Sequence, residues 1–285
     1  MIRKIVDFMI TPETVEATAG LRQVKSLFFE REQDCFPVID EGQVVGVLSW
    51  QDTMRAHPNR IAADAMSGNF TYVEPDMPLW RARELMEQDR LSALLVCEHD
   101  VLKGIVTPTV IKQELGKHTD LLTGLYRTDY LYYNALKLMA SGQEISMVFA
   151  DIDNFGEINK QYGHVKGDLI LKEFGALLQA HTPPGAILCR YGGDEFITLM
   201  TCSREDITTL ANDLRQIVAG YHFPDTIPVT MSVGVATAGR VSDRSLSHGR
   251  LLASLINKAS LASTAAKKDS SGLKTLEQTI DSESA

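Results

Sequence analysis

Two pairs of carboxylates stand where chemistry would need them. The first closes the run Arg190-Tyr191-Gly192-Gly193-Asp194-Glu195-Phe196, which has apolar, strand-like residues on both sides. Strand, Gly-Gly and strand predict a tight β-hairpin, because paired glycines supply the positive φ angles of a type I′ turn. A turn needs no acids to form. Asp194 and Glu195, beside glycines that let a ligand approach the backbone, therefore point to metal and phosphate chemistry; an ordinary solvated turn is the competing reading. The second pair lies in Val148-Phe149-Ala150-Asp151-Ile152-Asp153-Asn154-Phe155, an apolar strand running into two acids and then a helix. The two-residue period of a strand predicts Asp151 and Asp153 on one side, and strand ends are where α/β folds place ligands. The backbone N–H groups of Asn154, Phe155 and Gly156 open the helix and could hold phosphate oxygens. Capping accounts equally well for an isolated Asp-x-Asp. A third cluster is Asn159, Gly163-His164 and Gly167-Asp168. Asn159 offers an amide donor and acceptor. A carboxylate at Asp168 suits guanine, whose N1–H and N2–H₂ are adjacent donors, and meets the bare N1 acceptor of adenine with repulsion. Taken singly, both residues read as helix caps or solvated surface.

The elements that must position these residues follow from the pattern. A chain of 285 residues is long enough for two domains. Its net charge of −9 argues against a general nucleic-acid or anionic-membrane binder. An anionic substrate would then need a local cation such as Mg²⁺. The four cysteines, Cys35, Cys97, Cys189 and Cys202, sit singly in apolar stretches and read as buried thiols of a reducing compartment. No signal-peptide core follows Met1, and no apolar run approaches about 20 residues, so a cytoplasmic protein is expected. From Leu121 onward, long helices alternate with strands, which predicts a central sheet covered by helices. Strands are predicted at Ile145–Ala150, Ala186–Arg190, Glu195–Thr201 and Ile227–Ala236. Helices are predicted at Asp129–Ser141, Phe155–Tyr162, Val165–Ala180, Arg204–Gly220 and Arg250–Lys268. The polar Glu277–Ala285 reads as a tail, with 279–285 disordered.

The first ~115 residues repeat themselves with a period near 58. Asp7-Phe8-Met9 is echoed by Asp64-Ala65-Met66, and Gly46 by Gly104. The helical stretch around Leu21, Val24, Leu27 and Phe28 is echoed by Leu79, Ala82, Leu85 and Met86. Each unit reads as helix, strand, strand, helix. This half resembles a tandem CBS-domain (Bateman) module, with one domain over 1–58 and the second over 59–117. In that family the second strand ends in Gly-x-x-Ser/Thr-x-x-Asp, and Gly46-Val47-Leu48-Ser49-Trp50-Gln51-Asp52 fits it. The resemblance implies an adenine nucleotide such as AMP, ATP or S-adenosylmethionine, with Ser49 on phosphate and Asp52 on ribose. The alternative is that Ser49 and Asp52 cap the following helix. The second unit, Gly104-Ile105-Val106-Thr107-Pro108-Thr109-Val110, lacks the acid, so one site is expected rather than two. The polar stretch Lys112–Asp120, if helical, would join the two halves rigidly.

The clusters of the second half resemble the GGDEF family, the diguanylate cyclases, over about Asp120–Gly272, within a domain at 118–278. The motifs present are Asp120-Leu121-Leu122-Thr123-Gly124-Leu125, Asp151 to Phe155, Asn159, Gly163-His164, Gly167-Asp168, Arg190 to Phe196, and Met231-Ser232-Val233-Gly234-Val235. The resemblance implies an α/β (α+β) fold of the nucleotidyl cyclase/polymerase palm kind, with a mainly antiparallel sheet flanked by helices. It also implies an activity, the condensation of two GTP into cyclic di-GMP with release of pyrophosphate. Asp151, the Ile152 carbonyl and Asp194 would hold two Mg²⁺ (or Mn²⁺) ions, with Glu195 as a further ligand or as the base at the ribose 3′-hydroxyl. Asn159 and Asp168 would read guanine, with His164 nearby. Gly192 and Gly193 would pass beside the phosphates, where a Cβ would clash, and Lys267 would reach a phosphate. Two chains would have to meet as a homodimer, with no nucleic acid or membrane partner. Several family positions differ: Arg127-Thr128 for Asn-Arg, Gly156 for a lysine, Lys160 for an acid, and no clear arginine after Lys267. A low-activity or non-catalytic nucleotide receptor, or a mixed cyclic dinucleotide synthase, is therefore the alternative. The family's inhibitory Arg-x-x-Asp falls on Pro183 and Ala186, so product inhibition through that site is not expected.

Overall fold

The structure is a computed structural model that describes residues 2–31, 33–238, 247–268 and 272–277. The chain divides into two compact units, Met1–Lys117 and His118–Ala285.

In the first unit β1 (Val15–Glu16), α1 (Leu21–Arg31), β2 (Cys35–Asp40), β3 (Gln43–Ser49) and α2 (Trp50–Arg55) make one repeat. The second consists of α3 (Ala62–Ala65), β4 (Phe70–Val73), α4 (Leu79–Asp89), β5 (Ala93–Glu98), β6 (Val101–Val106) and α5 (Pro108–Lys117). Each forms a three-stranded sheet, β1-β2-β3 and β4-β5-β6, with a parallel first pair and an antiparallel second. Cys35 and Val47 of one sheet pack with Ala93, Leu95 and Ile105 of the other.

The cores do not follow the linear repeats. Ile5 lies in the core built by Leu79, Leu94 and Val106, and Ile10 bridges Ile105. Reciprocally, Ala62 lies in the core of Leu21, Phe36 and Leu48, and Ser67 bridges Val47. Each lead-in segment thus completes the other repeat. The echoed methionines explain the echoed glycines: a Cβ on Gly46 would meet Met66 Sδ at 2.6 Å, and one on Gly104 would collide with Met9. The connector departs from expectation. Helix α5 stops at Lys117, and the next residues form a loop closed by Asp120 N–H to the Leu125 carbonyl (2.8 Å) and Gly124 N–H to the Asp120 carbonyl (2.8 Å).

The second unit runs α6 (Thr128–Ala140), β7 (Ile145–Ile152), α7 (Phe155–Tyr162), α8 (His164–His181), β8 (Ile187–Arg190), β9 (Glu195–Met200), α9 (Arg204–Gly220), β10 (Met231–Ala238), α10 (His248–Lys268) and β11 (Leu273–Glu277). Its sheet has the order β11-β10-β7-β9-β8, antiparallel except for β10 with β11. The central strand β7 is buried on both faces, and its period of two sorts the cores. Val148, Ala150 and Ile152 join Phe174, Phe196 and residues of α8 and α9. Met147 and Phe149 join residues of α6 and α10.

One predicted strand shortens at its start and one strand is new. The predicted Ile227–Ala236 begins at Met231, because Pro224–Thr226 forms a 3₁₀ turn and Pro228 cannot donate to a ladder. Glu277 ends the unpredicted strand β11 rather than opening a tail, and 278–285 lie outside the described residues. Cys35 and Cys189 are buried, whereas Cys97 and Cys202 are only partly so. Burial pushes the Cys35 and Cys189 thiols up to about 12, which leaves both inert.

Candidate active site

The acids converge at the end of β7. Asp151 is directly opposite Glu195 on β9 and Ser232 on β10. The Ile152 N–H donates to the Asp194 carbonyl at 3.3 Å, so Asp151, Ile152, Asp194 and Glu195 are contiguous across one strand pair. By the strand period, Asp151 shares the sheet face of Phe149, the face covered by α10. The end of that helix delivers Lys267, whose ammonium donates to Asp151 Oδ1 at 2.8 Å and to the Ile152 carbonyl at 3.3 Å.

Electrostatics mark the place as short of positive charge. Burial, and then the charge of Asp151, push the Asp194 carboxyl above its ordinary value. Burial, then Asp151 and Asp194, do the same to Glu195. Among the described residues no three His, Cys, Asp or Glu side chains form a metal cluster. The pair of oxygens that does hold a cation joins one carboxylate to a backbone carbonyl, the Asp151 Oδ1 and Ile152 oxygen on which the Lys267 ammonium rests.

The hairpin forms, with a different tip. β8 and β9 pair from Arg190↔Phe196 outward, leaving residues 191–195 as the tip, across which Tyr191 N–H donates to the Glu195 carbonyl at 2.8 Å. Neither Gly192 nor Gly193 has a positive φ, so the type I′ expectation fails. A Cβ on Gly192 would stand 2.5 Å from Glu195 Oε2, so Gly192 makes room for the Glu195 carboxylate. Beside Gly193 a Cβ would meet no protein atom within 4 Å.

Asp153 shares a side with Asp151, as predicted, since its carboxylate is held by Ser232, which stands directly opposite Asp151. β7 ends at Ile152, and the Asp153 carboxylate accepts from the Thr230 and Ser232 hydroxyls at 2.6 and 2.7 Å; it ties the strand end to β10. Asn154 turns the chain with φ +53° ahead of α7. The first intrahelical bonds are donated by Glu157 and Ile158 to the Asn154 carbonyl, leaving the Phe155 and Gly156 amides ahead of them at the helix start. Gly156 is exposed with open space beside it, and Lys160 pairs with Glu157 at 2.6 Å. Asn159 packs against the start of α8, where a Cβ on the buried Gly167 would collide with its Oδ1. His164 and Asp168 are exposed on α8.

Sequence reasoning left Arg190 without a role. Its guanidinium donates from Nε and Nη2 to the Gly193 carbonyl (3.0 and 2.6 Å) and from Nη1 to Asp120 Oδ1 (2.8 Å). Arg190 thereby ties the hairpin tip to the opening loop of the unit. Burial works to raise the Asp120 carboxyl, but Arg190 and the Thr123 N–H and hydroxyl outweigh it and hold it below the ordinary 3.8. A depressed carboxyl contributes stability that is present at neutral pH and lost as pH falls through its folded-state value. Asp120→Asn is expected to cost roughly 2–3 kcal/mol by urea denaturation at pH 7, and the difference from the parent should shrink below pH ~3.8. A difference that persists undiminished under acid would refute this account.

In the first unit Ser49 and Asp52 do meet, in the capping alternative. Ser49 Oγ accepts from the Asp52 N–H at 3.2 Å, and Asp52 Oδ2 accepts from the Ser49 N–H at 2.9 Å and its hydroxyl at 2.5 Å. This is the capping box of α2. Thr107, at the matching place of the second repeat, donates to Asp34 Oδ2 at 3.0 Å.

Comparison with known proteins agrees with this division. Residues 117–272 match the family described as diguanylate cyclase, GGDEF domain, and residues 5–59 and 62–116 each match the CBS domain. Response regulator PleD of Caulobacter vibrioides is 36% identical over 132 residues, 42% of this chain and 29% of PleD. Diguanylate cyclase DgcM of Escherichia coli is 32% identical over 128 residues, 43% of this chain and 31% of DgcM. The chain thus spans under a third of the length of these relatives. The solved coiled coil and GGDEF domain of DgcB from Caulobacter crescentus, in complex with c-di-GMP, superposes with a TM-score of 0.52 at 20% identity. It covers 59% of this chain and 90% of that one, a likeness of fold.

Proposed function

The chain belongs to the GGDEF domain family, and on that premise we propose that it is a diguanylate cyclase, joining two GTP molecules into cyclic di-GMP. One observation carries the reading: Asp151, the Ile152 carbonyl, Asp194 and Glu195 meet at one strand end, and a lysine ammonium already rests on two of them. These donors suit Mg²⁺ or Mn²⁺, two per site, which when bound would neutralise the triphosphate and polarise its α-phosphate. Each ribose 3′-oxygen attacks the α-phosphorus of the other nucleotide. The bond from that phosphorus to the β-phosphate bridge breaks, and pyrophosphate leaves with the electron pair. The 3′-hydroxyl proton passes to a carboxylate, for which Glu195, with its raised carboxyl, is the nearest match in acidity. Asn159 and Asp168 face guanine, with His164 beside them. The Asn154, Phe155 and Gly156 backbone and Lys267 lie on the phosphates, and the rate gain is positioning and electrostatics.

One site holds one GTP, so two chains must pair with their hairpins facing. The CBS pair supplies the control, through an adenine nucleotide that favours one arrangement of two chains over another. Ser49 and Asp52 are the ligand residues of this reading, and a nucleotide there would compete with the α2 cap. With Pro183 and Ala186 at the inhibitory positions, the product does not inhibit through that site. No helix among the described residues is long and apolar enough to cross a membrane; the reading places the enzyme in the cytoplasm, where GTP is at hand.

Mass analysis of products from the full chain with Mg²⁺ and GTP, ATP or both tests the reading. Cyclic di-GMP alone is expected. A mixed dinucleotide would displace the guanine assignment, and no product from any mixture would sink the enzyme. Adding AMP, ATP or S-adenosylmethionine should change the rate or the melting temperature; if it changes neither, the CBS pair is a scaffold.

A further inference from the structure

A cavity of about 360 Å³ opens beside Lys267, lined by Asn154, Arg215, Thr230 and Ser232 among others. Arg215 reaches it from α9, an element that no motif implicates. Its Nε is buried and has no hydrogen-bond partner among the described residues. The guanidinium lies against Gly272, where a Cβ would stand 2.5 Å from Nη1. Gly272 has φ +72°, which also favours glycine. A buried N–H without an acceptor costs free energy that a purely structural arginine would avoid by finding one. The single acid of the lining, Asp153, already accepts from two hydroxyls. Two cations therefore line one space, Lys267 resting on Asp151 and Arg215 beside an acid that is otherwise engaged. The start of α7 brings no cationic side chain, since Phe155 and Gly156 have none and Lys160 is paired with Glu157.

We infer that Arg215 binds the phosphate tail of the nucleotide, holding with Lys267 the two phosphates that leave as pyrophosphate. The inference rests on the cyclase reading. The cavity adjoins the donors of that reading, because Lys267 lines it while touching Asp151 and Ile152. A guanidinium presents forked N–H groups that match phosphate oxygens.

The test is titration of the full chain with 3′-deoxy-GTP in Mg²⁺, which carries the triphosphate but no attacking hydroxyl, and separately with GMP. Arg215→Gln should weaken 3′-deoxy-GTP about tenfold or more and leave GMP unchanged, with Arg215→Lys between the two. In turnover, the KM for GTP should rise by more than kcat falls. Equal binding of 3′-deoxy-GTP by Arg215→Gln and the parent overturns the inference alone. So does an equal loss of both ligands, which marks a structural role. If Arg215→Gln fails to fold, the triphosphate-to-GMP affinity ratio of Arg215→Lys decides in the same way, an unchanged ratio overturning it. A parent that binds no 3′-deoxy-GTP overturns the cyclase reading itself.

Discussion

Asp194→Ala is expected to lower cyclic di-GMP formation by about a thousandfold or more while leaving the second unit as stable as before, or more so. The activity loss follows from its place. Its backbone carbonyl receives the Ile152 N–H, and its carboxylate stands close enough to Asp151 for the two to repel. Removing one donor of such a set withdraws the charge that would bind a divalent ion and orient the α-phosphate, effects commonly worth 10²–10³ or more each. The stability half runs the other way. A carboxyl raised above its ordinary value is one whose charged form the fold disfavours, so its contribution to stability declines as pH rises through that value. Alanine removes that cost at neutral pH. Calorimetry without divalent ions should give a melting temperature equal to or above the parent's. The rise in melting temperature on adding Mg²⁺ with 3′-deoxy-GTP, present in the parent, should largely vanish. A variant within tenfold of parental activity would remove Asp194 from the site.

Local strings carried much of this site. Asp151, Asp194 and Glu195 lie at ends of strands whose apolar runs are plain, and helices such as Phe155–Tyr162 and Arg204–Gly220 start and stop where their periodicity does. What escaped depends on partners distant in sequence. Leu273–Glu277 has no pattern of its own and becomes a strand by pairing with β10. Asp153 looked like the twin of Asp151 until Thr230 and Ser232, nearly 80 residues on, claimed both oxygens. The Met9 and Met66 echo was visible, but not that each covers the glycine of the opposite repeat. Arg190 was read as a flank of the glycines, because its partner Asp120 is 70 residues away. Arg215 sits on an amphipathic helix among other polar residues and carries no local mark; only the cavity singles it out.

Gly234→Val is expected to prevent folding of the second unit, and Gly234→Ala to lower its melting temperature by roughly 5–10 °C, an effect on the order of 2–4 kcal/mol. Gly234 lies in β10 between Phe149 of β7 and Lys274 of β11. A Cβ there would collide with the Ala259 carbonyl oxygen and the Ser263 amide nitrogen of α10, and come within 2.9 Å of the Ala262 Cβ. Two of the three obstacles are helix backbone, which cannot swing away as a side chain can. Relief requires lifting α10 off the sheet, which breaks the Ser263 hydroxyl bond to the Ser232 carbonyl (3.0 Å). It also withdraws Lys267, one turn further along, from Asp151. Activity should therefore fall with stability. Ala262→Gly in the same chain removes only the side-chain obstacle, so the double variant should stay within about 1 kcal/mol of Gly234→Ala alone. Restoration of the parental melting temperature by that second change would show that the helix backbone is not the limiting contact.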